Sequence, residues 1–240
     1  MLSMNASVNF YMYEGGTNFG FMNGAHYRNK GGLDPSITSY DYDAPLTEAG
    51  DTTTKFHILR DTIAKYEKIP PIPIPPNTTK AAYGKVQMTK MSNFLDELPK
   101  LSALLGPVNA QFPLTMEQIG QNYGFILYQT QIPPKFAQSS VVLNISNLVR
   151  DRAIVYVGKI RQATMFRHPK EQNVTLNIEN MLQLDILVEN MGRCNGGLAE
   201  PKGILGNVTL NGSILMNWKM YPINLDNLLD RKSTRLNSSH

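Results

Sequence analysis

The sequence predicts an α/β unit followed by a β-rich domain of the sandwich or jelly-roll type. A short aromatic-rich strand pattern, a long loop and a helical pattern fill residues 7–67. From Tyr123 onward, short apolar runs alternate with turn residues at short intervals, which is typical of sandwiches and jelly rolls. The chain has 240 residues, of which 42% are hydrophobic, so it is long enough for one or two globular domains.

The first part reads as strand, loop and helix. Residues 7–13 (SVNFYMY) predict a buried strand, because parallel strands covered on both faces are nearly continuously apolar. The loop 14–50 is long enough to indicate either a site or disorder, and its aromatic content argues against disorder. Asp51 or Thr52 is the predicted N-cap of the helix. Four apolar residues then recur at helical spacing: Phe56, Leu59, Ile63 and Tyr66.

The second part begins after a stiff linker with five prolines between residues 70 and 76. Residues 83–88 predict a short strand, and a helical stretch is expected before Gly106. Asn211-Gly212 predicts a two-residue hairpin turn. The strand patterns of this part are 123–132, 140–145, 152–160, 173–178, 182–190 and 207–210.

Composition excludes several classes of function. The net charge of +4 depends on the last ten residues; without them 20 basic residues face 19 acidic ones, so the sequence predicts no nucleic-acid partner. No apolar run is long enough for a membrane span. The four histidines lack metal-ligand spacing and no phosphate-binding motif is present, so we expect no metal and no cofactor. The lone Cys194 reads as a small filler in a turn.

The glycosylation motif N-x-[ST] occurs six times before the polar tail. This number favours a secretory route. We expect Asn5 to lie buried beside the strand and to stay unmodified. The remaining five are candidate glycosylation sites: Asn77, Asn144, Asn173, Asn207 and Asn211. The tail KSTRLNSSH reads as an artefact of cloning and is left out of the fold prediction.

Two segments of the long loop, GGTNFGFMNGA (15–25) and TSYDYDAPLTEAGD (38–51), resemble the end of the catalytic barrel of glycoside hydrolase family 35, the lysosomal-type β-galactosidases. Later segments resemble successive pieces of the same family in the same order, so the similarity spans about residues 5–225. These later segments are KYEKIPPIPIPP, AYGKV, YGFILYQT and LDILVENMGR.

The resemblance implies a domain organisation. Residues 1–68 would be the last βα unit of a (β/α)₈ (TIM) barrel, and residues 69–105 a proline-rich linker. Residues 106–223 would be the jelly-roll-like β-domain. Residues 224–240 would hold the start of the next segment and the artefactual tail. Both catalytic glutamates of the family come from earlier barrel strands, so no catalytic residue is expected in this chain.

The implied activity is retaining hydrolysis of terminal β-galactosyl residues of glycoconjugates, in a lysosomal or secreted enzyme that is a possible homodimer at full length. The partner would be a β-galactoside carbohydrate, and this chain alone would be inactive. A second hypothesis stays open, in which the β-domain is a non-catalytic carbohydrate-binding or packing module.

The resemblance also implies site residues. Tyr11 at the end of the strand and Tyr42 in the loop would contact galactose. The nearby Asp41 and Asp43 are expected to hold the loop through backbone N–H groups rather than to catalyse. We expect Asn18 and Asn23 to brace the loop in the same way, and Gly15 and Gly16 to give it backbone freedom. The chain departs from the family pattern at Glu14 and in a longer segment, His26–Ile37, both expected near the pocket mouth.

Overall fold

A computed structural model describes residues 1–28, 31–89, 93–102, 106–145, 148–167, 173–196, 200–223 and 225. The chain divides into two compact units. The first unit consists of Met1–Gly20 and Ser36–Thr89, and the second of Phe21–Pro35 and Lys90–His240. The middle of the long loop therefore belongs to the second unit. The limits predicted for the domains at residues 68 and 105 stay predictions, and the artefactual tail lies outside the described residues.

The described residues contain two α-helices and seventeen strands. The helices are α1 (Thr54–Ile63) and α2 (Phe94–Leu101). The strands are β1 (Gly16–Thr17), β2 (Gly24–Arg28), β3 (Gly32–Pro35), β4 (Ser39–Tyr40), β5 (Val108–Ala110), β6 (Phe125–Gln131), β7 (Ser140–Asn144), β8 (Val149–Arg150), β9 (Arg152–Val157), β10 (Ile160–Phe166), β11 (Asn173–Asn177), β12 (Gln183–Glu189), β13 (Arg193–Cys194), β14 (Gly203–Ile204), β15 (Thr209–Leu210), β16 (Ser213–Ile214) and β17 (Trp218–Ile223).

The first unit lacks the strand that the sequence predicts at residues 7–13. Residues 7–13 form no strand, because a strand needs a ladder of backbone hydrogen bonds, and in the described chain this segment has a single one to a distant residue, from the Leu46 amide to the Tyr13 carbonyl at 3.1 Å. The only pairing nearby within the described residues is a parallel bridge between Glu14 and Leu46. A strand is also absent at 83–88. An apolar sequence alone therefore does not produce a hydrogen-bonded strand ladder at residues 7–13 or 83–88.

Helix α1 forms as predicted but with a different cap. The side chain of Thr53, not of Asp51 or Thr52, accepts a hydrogen bond from the amide of Phe56 at 3.3 Å. None of the helix residues is buried. Instead of packing on a closed wall, its apolar side lines an open groove of about 200 Å³ together with Phe10 and Tyr13.

The second unit is a β-sandwich built around one apolar core. A six-stranded sheet, in the order β10-β9-β12-β6-β17-β5, faces a four-stranded sheet, in the order β11-β7-β15-β16. Val141 and Leu143 of the smaller sheet share a buried cluster with Val155 and Ile186 of the larger one. The strand patterns from the sequence thus give a β-rich sandwich, as predicted.

Helix α2 covers the opposite face of the six-stranded sheet. Leu95 and Leu98 of the helix pack with Leu127, Leu187 and Tyr221 of the sheet. Both faces of the central strands are therefore covered, which explains why the residues of β6 and β12 are almost continuously buried instead of alternating.

The predicted hairpin turn at Asn211-Gly212 is confirmed. Strands β15 and β16 pair with Thr209 opposite Ile214. Both turn residues have positive φ, 45° at Asn211 and 76° at Gly212, as the hairpin turn favoured by Asn-Gly requires.

Candidate functional site

Two short strands close the loop that carries the predicted sugar-binding tyrosines. Strands β1 and β4 pair antiparallel, with Gly16 opposite Tyr40. Gly15 approaches the return strand so closely that a Cβ atom on it would lie 2.0 Å from the carbonyl oxygen of Tyr40. Neither Gly15 nor Gly16 has a positive φ. Gly15 is thus required for close packing and not, as expected, for backbone freedom.

The structure brings the two predicted site residues together on the surface of the first unit. The rings of Tyr11 and Tyr42 meet edge to face with centroids 6.4 Å apart, and Tyr40 lies 4.9 Å from Tyr42. Tyr42 has a φ of 61° and is 56% exposed, and Tyr11 is 81% exposed. A hydrogen bond with Tyr42 raises the pKa of the Tyr40 phenol. Three phenols therefore form one accessible aromatic patch, called here the tyrosine patch.

Asp43, one of the two aspartates that flank Tyr42, does not act as expected. Asp43 has a φ of 49°, so the chain turns here and does not project Asp41 and Asp43 to one side as an extended chain would. The carboxylate of Asp43 forms an ion pair with Lys55 at 2.7 Å. It therefore fixes the loop to helix α1 through a side chain, not through backbone N–H groups.

Glu48 and Asp51 hold the C-terminal end of the long loop in place, and both carboxyl groups are ionised. Glu48 accepts hydrogen bonds from Ser39 and, at 2.5 Å, from Thr17, and these bonds lower the pKa of its carboxyl group. Asp51 is buried, pairs with Lys80 and accepts hydrogen bonds from the amide and the hydroxyl of Thr78. Its pKa is lowered to about 2. Neither carboxyl group is protonated near neutral pH.

The two asparagines expected to brace the loop do so in different units. The Nδ2 of Asn18 donates to the carbonyl of Ile37 at 2.7 Å, within the first unit. The Nδ2 of Asn23 donates to the carbonyl of Met191 at 2.8 Å, within the second unit. The tip of the predicted loop is therefore attached to the β-domain.

Strands β2 and β3 form a hairpin that the sequence did not predict. It occupies the segment expected at the pocket mouth, yet β2 adds in parallel to β13 of the second unit, with Cys194 opposite Ala25. Burial, with smaller effects from Glu200 and Cys194, raises the pKa of Tyr27 to about 12. Cys194 is thus part of a strand and not of a turn.

A buried ion cluster lies beside this hairpin, and no signal in the sequence indicates it. Asp151 and Lys202 are each 1% exposed, and Lys202 Nζ donates to both carboxylate oxygens of Asp151, at 3.0 and 2.8 Å. Arg167 donates to Asp151 at 2.9 Å and to both carboxylate oxygens of Glu200 at 2.7 Å. A cavity of about 290 Å³ adjoins Asp151 and Arg167. Because these charges satisfy one another, the cluster is structural.

The five candidate glycosylation asparagines, Asn77, Asn144, Asn173, Asn207 and Asn211, are all exposed. Asn211 is also bound into its turn, where its Oδ1 accepts the amide of Val142 at 2.7 Å. Asn5 is exposed as well, so its expected burial is wrong; the strand that was to bury it does not form. In the described part of the chain, no helix has the length and apolarity needed to cross a bilayer.

Comparison with known proteins gives one family model for the first part of the chain and another for the β-domain. Residues 1–66 match the family model of glycosyl hydrolases family 35, and residues 113–224 match the model of the beta-galactosidase first all-beta domain. The chain is 43% identical to a beta-galactosidase of Bos taurus over 230 residues, 94% of this chain and 34% of that protein. It is 44% identical to a beta-galactosidase of Homo sapiens, over 94% of this chain and 33% of that protein.

A beta-galactosidase-1-like protein of Mus musculus is 39% identical, over 95% of this chain and 35% of its own length. The chain thus spans about a third of the length of the curated relatives it matches. The two family models match in the order of the two parts of the sequence, and the identity extends along nearly the whole chain. The chain therefore belongs to glycoside hydrolase family 35.

Proposed function

We propose that this chain forms one wall of the galactose pocket of a retaining exo-β-galactosidase that is lysosomal or secreted. The observation that carries the proposal is the tyrosine patch, which lies on the part of the chain that matches family 35. A phenol hydroxyl can donate to and accept from sugar hydroxyls, and its ring can cover the apolar face of a sugar. Tyr42 and Tyr11 are the substrate-binding residues in this proposal.

The catalytic carboxyl pair comes from elsewhere in the barrel, with residues 1–68 as its last βα unit. A retaining glycosidase needs two carboxyl groups about 5 Å apart, one of them protonated as the general acid. The lowered pKa values of Glu48 and Asp51 oppose that role, and Asp43 is neutralised by Lys55. This chain therefore binds substrate and by itself does not turn over a β-galactoside.

The substitution Tyr42→Phe in the complete enzyme tests the proposal. Loss of one hydroxyl contact that is formed in the transition state should lower kcat/KM for an aryl β-galactoside about 3- to 10-fold. The free energy of unfolding should change by less than about 0.5 kcal/mol, as for other surface substitutions. Tyr83→Phe, at a tyrosine that is 89% exposed in the first unit, is the matched control. Unchanged kinetics for Tyr42→Phe would reject its assignment.

The alternative is that the β-domain acts as a non-catalytic carbohydrate-binding or packing module. Turnover distinguishes the two: the complete protein should hydrolyse the substrate, whereas a module would bind galactosides without releasing galactose. The family assignment of residues 1–66 favours hydrolysis.

A further inference from the structure

The dipeptide Asn-Gly occurs three times in the chain, at residues 23–24, 195–196 and 211–212. In this dipeptide the asparagine side chain reacts readily with the backbone, because glycine has no Cβ atom to shield its amide nitrogen. All three dipeptides lie in the second unit. The structure gives them different surroundings, so the three asparagines should differ in reactivity although the residue that follows each is the same.

The reaction is a deamidation that needs only water. The glycine nitrogen attacks the Cγ atom of the preceding asparagine, a new C–N bond forms, and the bond from Cγ to Nδ2 breaks. Ammonia leaves with the proton of the glycine amide, and a five-membered imide ring remains. Water then opens the ring at either carbonyl carbon, which gives aspartate or isoaspartate. The asparagine side chain must rotate towards the glycine nitrogen for the ring to close, so hydrogen bonds that hold this side chain oppose the reaction.

Hydrogen bonds restrain two of the three asparagines. The Nδ2 of Asn23 donates to the carbonyl of Met191 at 2.8 Å. The Oδ1 of Asn211 accepts from the amide of Val142 at 2.7 Å, and the amide of Asn211 donates to the carbonyl of Val142 at 2.9 Å. Because Asn211 is exposed, its hydrogen bonds and not its burial oppose the reaction there.

Asn195 lacks such a restraint on its side chain. It follows directly after β13, and its backbone amide donates to the carbonyl of Ala25 at 2.8 Å. Its side chain is exposed and has no hydrogen-bond partner among the residues that the structure describes. Gly196 is also exposed, and no described atom lies within 4 Å of the place where its Cβ would be. The attacking nitrogen and the reacting side chain are therefore both accessible.

We propose that Asn195 is a site of spontaneous deamidation in the folded protein, whereas Asn23 and Asn211 are protected. The conversion adds a negative charge at the end of the strand pair β2–β13, and the isoaspartate product also lengthens the backbone there by a carbon atom. Since no enzyme is required, the modified fraction increases with the age of the molecule. The inference is independent of galactoside hydrolysis.

The full chain, expressed in bacteria so that no glycan shields Asn211, is incubated in heavy-oxygen water at mildly alkaline pH. The label enters at each converted residue and is located by mass spectrometry of the peptides. Conversion at Asn195 should be about 5- to 10-fold faster than at Asn23 and Asn211, the factor expected when a hydrogen bond must break first. The fluorescence of the buried Trp218 reports whether the sandwich stays folded. Equal rates at the three sites in the folded chain would overturn the proposal.

Two controls separate the effect of the fold from that of the local sequence. In urea, where the three side chains are free, the three rates should agree within about twofold. A lead of Asn195 that persisted in urea would show that the fold is not its cause. Gly196→Ala should slow conversion at Asn195 at least about fivefold, because a methyl group hinders the attacking nitrogen, and should leave the other two sites unchanged. Undiminished conversion at Asn195 in Gly196→Ala would contradict the proposed reaction.

Discussion

At the scale of single residues, Asp51 shows how a carboxylate that reads as a helix cap acquires another role. Its hydrogen-bond partners Thr78 and Lys80 come after the run of prolines at residues 70–76, so contacts across 27 and 29 residues replace the local cap. Their hydrogen bonds hold the pKa of Asp51 at about 2, below its ordinary value of 3.8. The ionised form of Asp51 is therefore the one that holds Thr78 and Lys80 in place.

This linkage predicts a pH dependence. The lowered pKa means that the folded state favours the ionised carboxylate. The hydrogen bonds of Asp51 to Thr78 and Lys80 are therefore fully formed above pH 3.8 and are lost as the pH falls towards 2. Amide exchange at Thr78 should be slow at pH 5 and accelerate below about pH 3, after correction for intrinsic rates. In Asp51→Asn, exchange should be fast at both pH values, and Asp61→Asn should resemble the parent. Equal protection of Thr78 in Asp51→Asn would contradict this role.

At the scale of elements, the β1–β4 pair sets the position of the tyrosine patch. Its two-residue strands are too short to be stable alone, so packing between their backbones matters more than the number of hydrogen bonds. Gly15 provides that packing, since the carbonyl oxygens of Tyr40 and Asp41 occupy the place of a Cβ atom.

Substitution of these adjacent glycines provides a matched pair. Gly15→Ala should push β4 away, at a cost of about 1–3 kcal/mol as in other overpacked sites, and lower kcat/KM of the complete enzyme by displacing Tyr42. Gly16→Ala meets no atom within 4 Å and should leave kcat/KM within about twofold. Enzyme kinetics and thermal unfolding of both variants give the comparison. If the two variants behaved alike, close packing at Gly15 would not be the reason for its glycine.

At the scale of the whole molecule, the two units differ in what stabilises them. Among the described residues of the first unit, only Ala44, Pro45 and Asp51 are buried, whereas the second unit encloses a continuous apolar core and the buried ion cluster. The second unit should therefore account for most of the free energy of unfolding.

Lys202→Met tests the ion cluster. Removing one partner leaves the buried carboxylate of Asp151 only partly compensated, which typically costs about 3–5 kcal/mol. Urea unfolding followed through the buried Trp218 should show a lower midpoint. Lys135→Met, at an exposed lysine of the same unit, should change the midpoint little. A midpoint for Lys202→Met equal to that of the control would show that the cluster adds nothing to stability.

The assignment of the hairpin to the second unit predicts a contrast in amide exchange. Residues 24–28 pair with β3 and β13, so their amides should exchange about as slowly as those of the sandwich edges. Residues 7–13 have no ladder and should exchange much faster. Limited proteolysis should likewise cut between residues 36 and 89 and leave a resistant β-domain. Slow exchange at residues 7–13 would indicate a structured strand that these contacts do not explain.

Sequence patterns within a few residues were enough to predict much of the fold. Helix α1, the main sandwich strands and the turn at Asn211-Gly212 follow from periodicity and turn chemistry that act over a few residues. The proximity of Tyr11 and Tyr42 was expected only through the resemblance to family 35, because nothing in the spacing of residues 31 positions apart brings them together. Their role in binding galactose stays a prediction.

Local preferences specify which segments turn, coil and alternate, because they depend on each residue and its near neighbours. Four features come from long-range contacts instead: the missing ladder at residues 7–13, the pairing of β2 with β13, the need for a small residue at Gly15 and the burial of Lys202 against Asp151. Each of these depends on a partner distant in sequence. Pairing and burial are properties of two surfaces, so one segment read alone does not specify them.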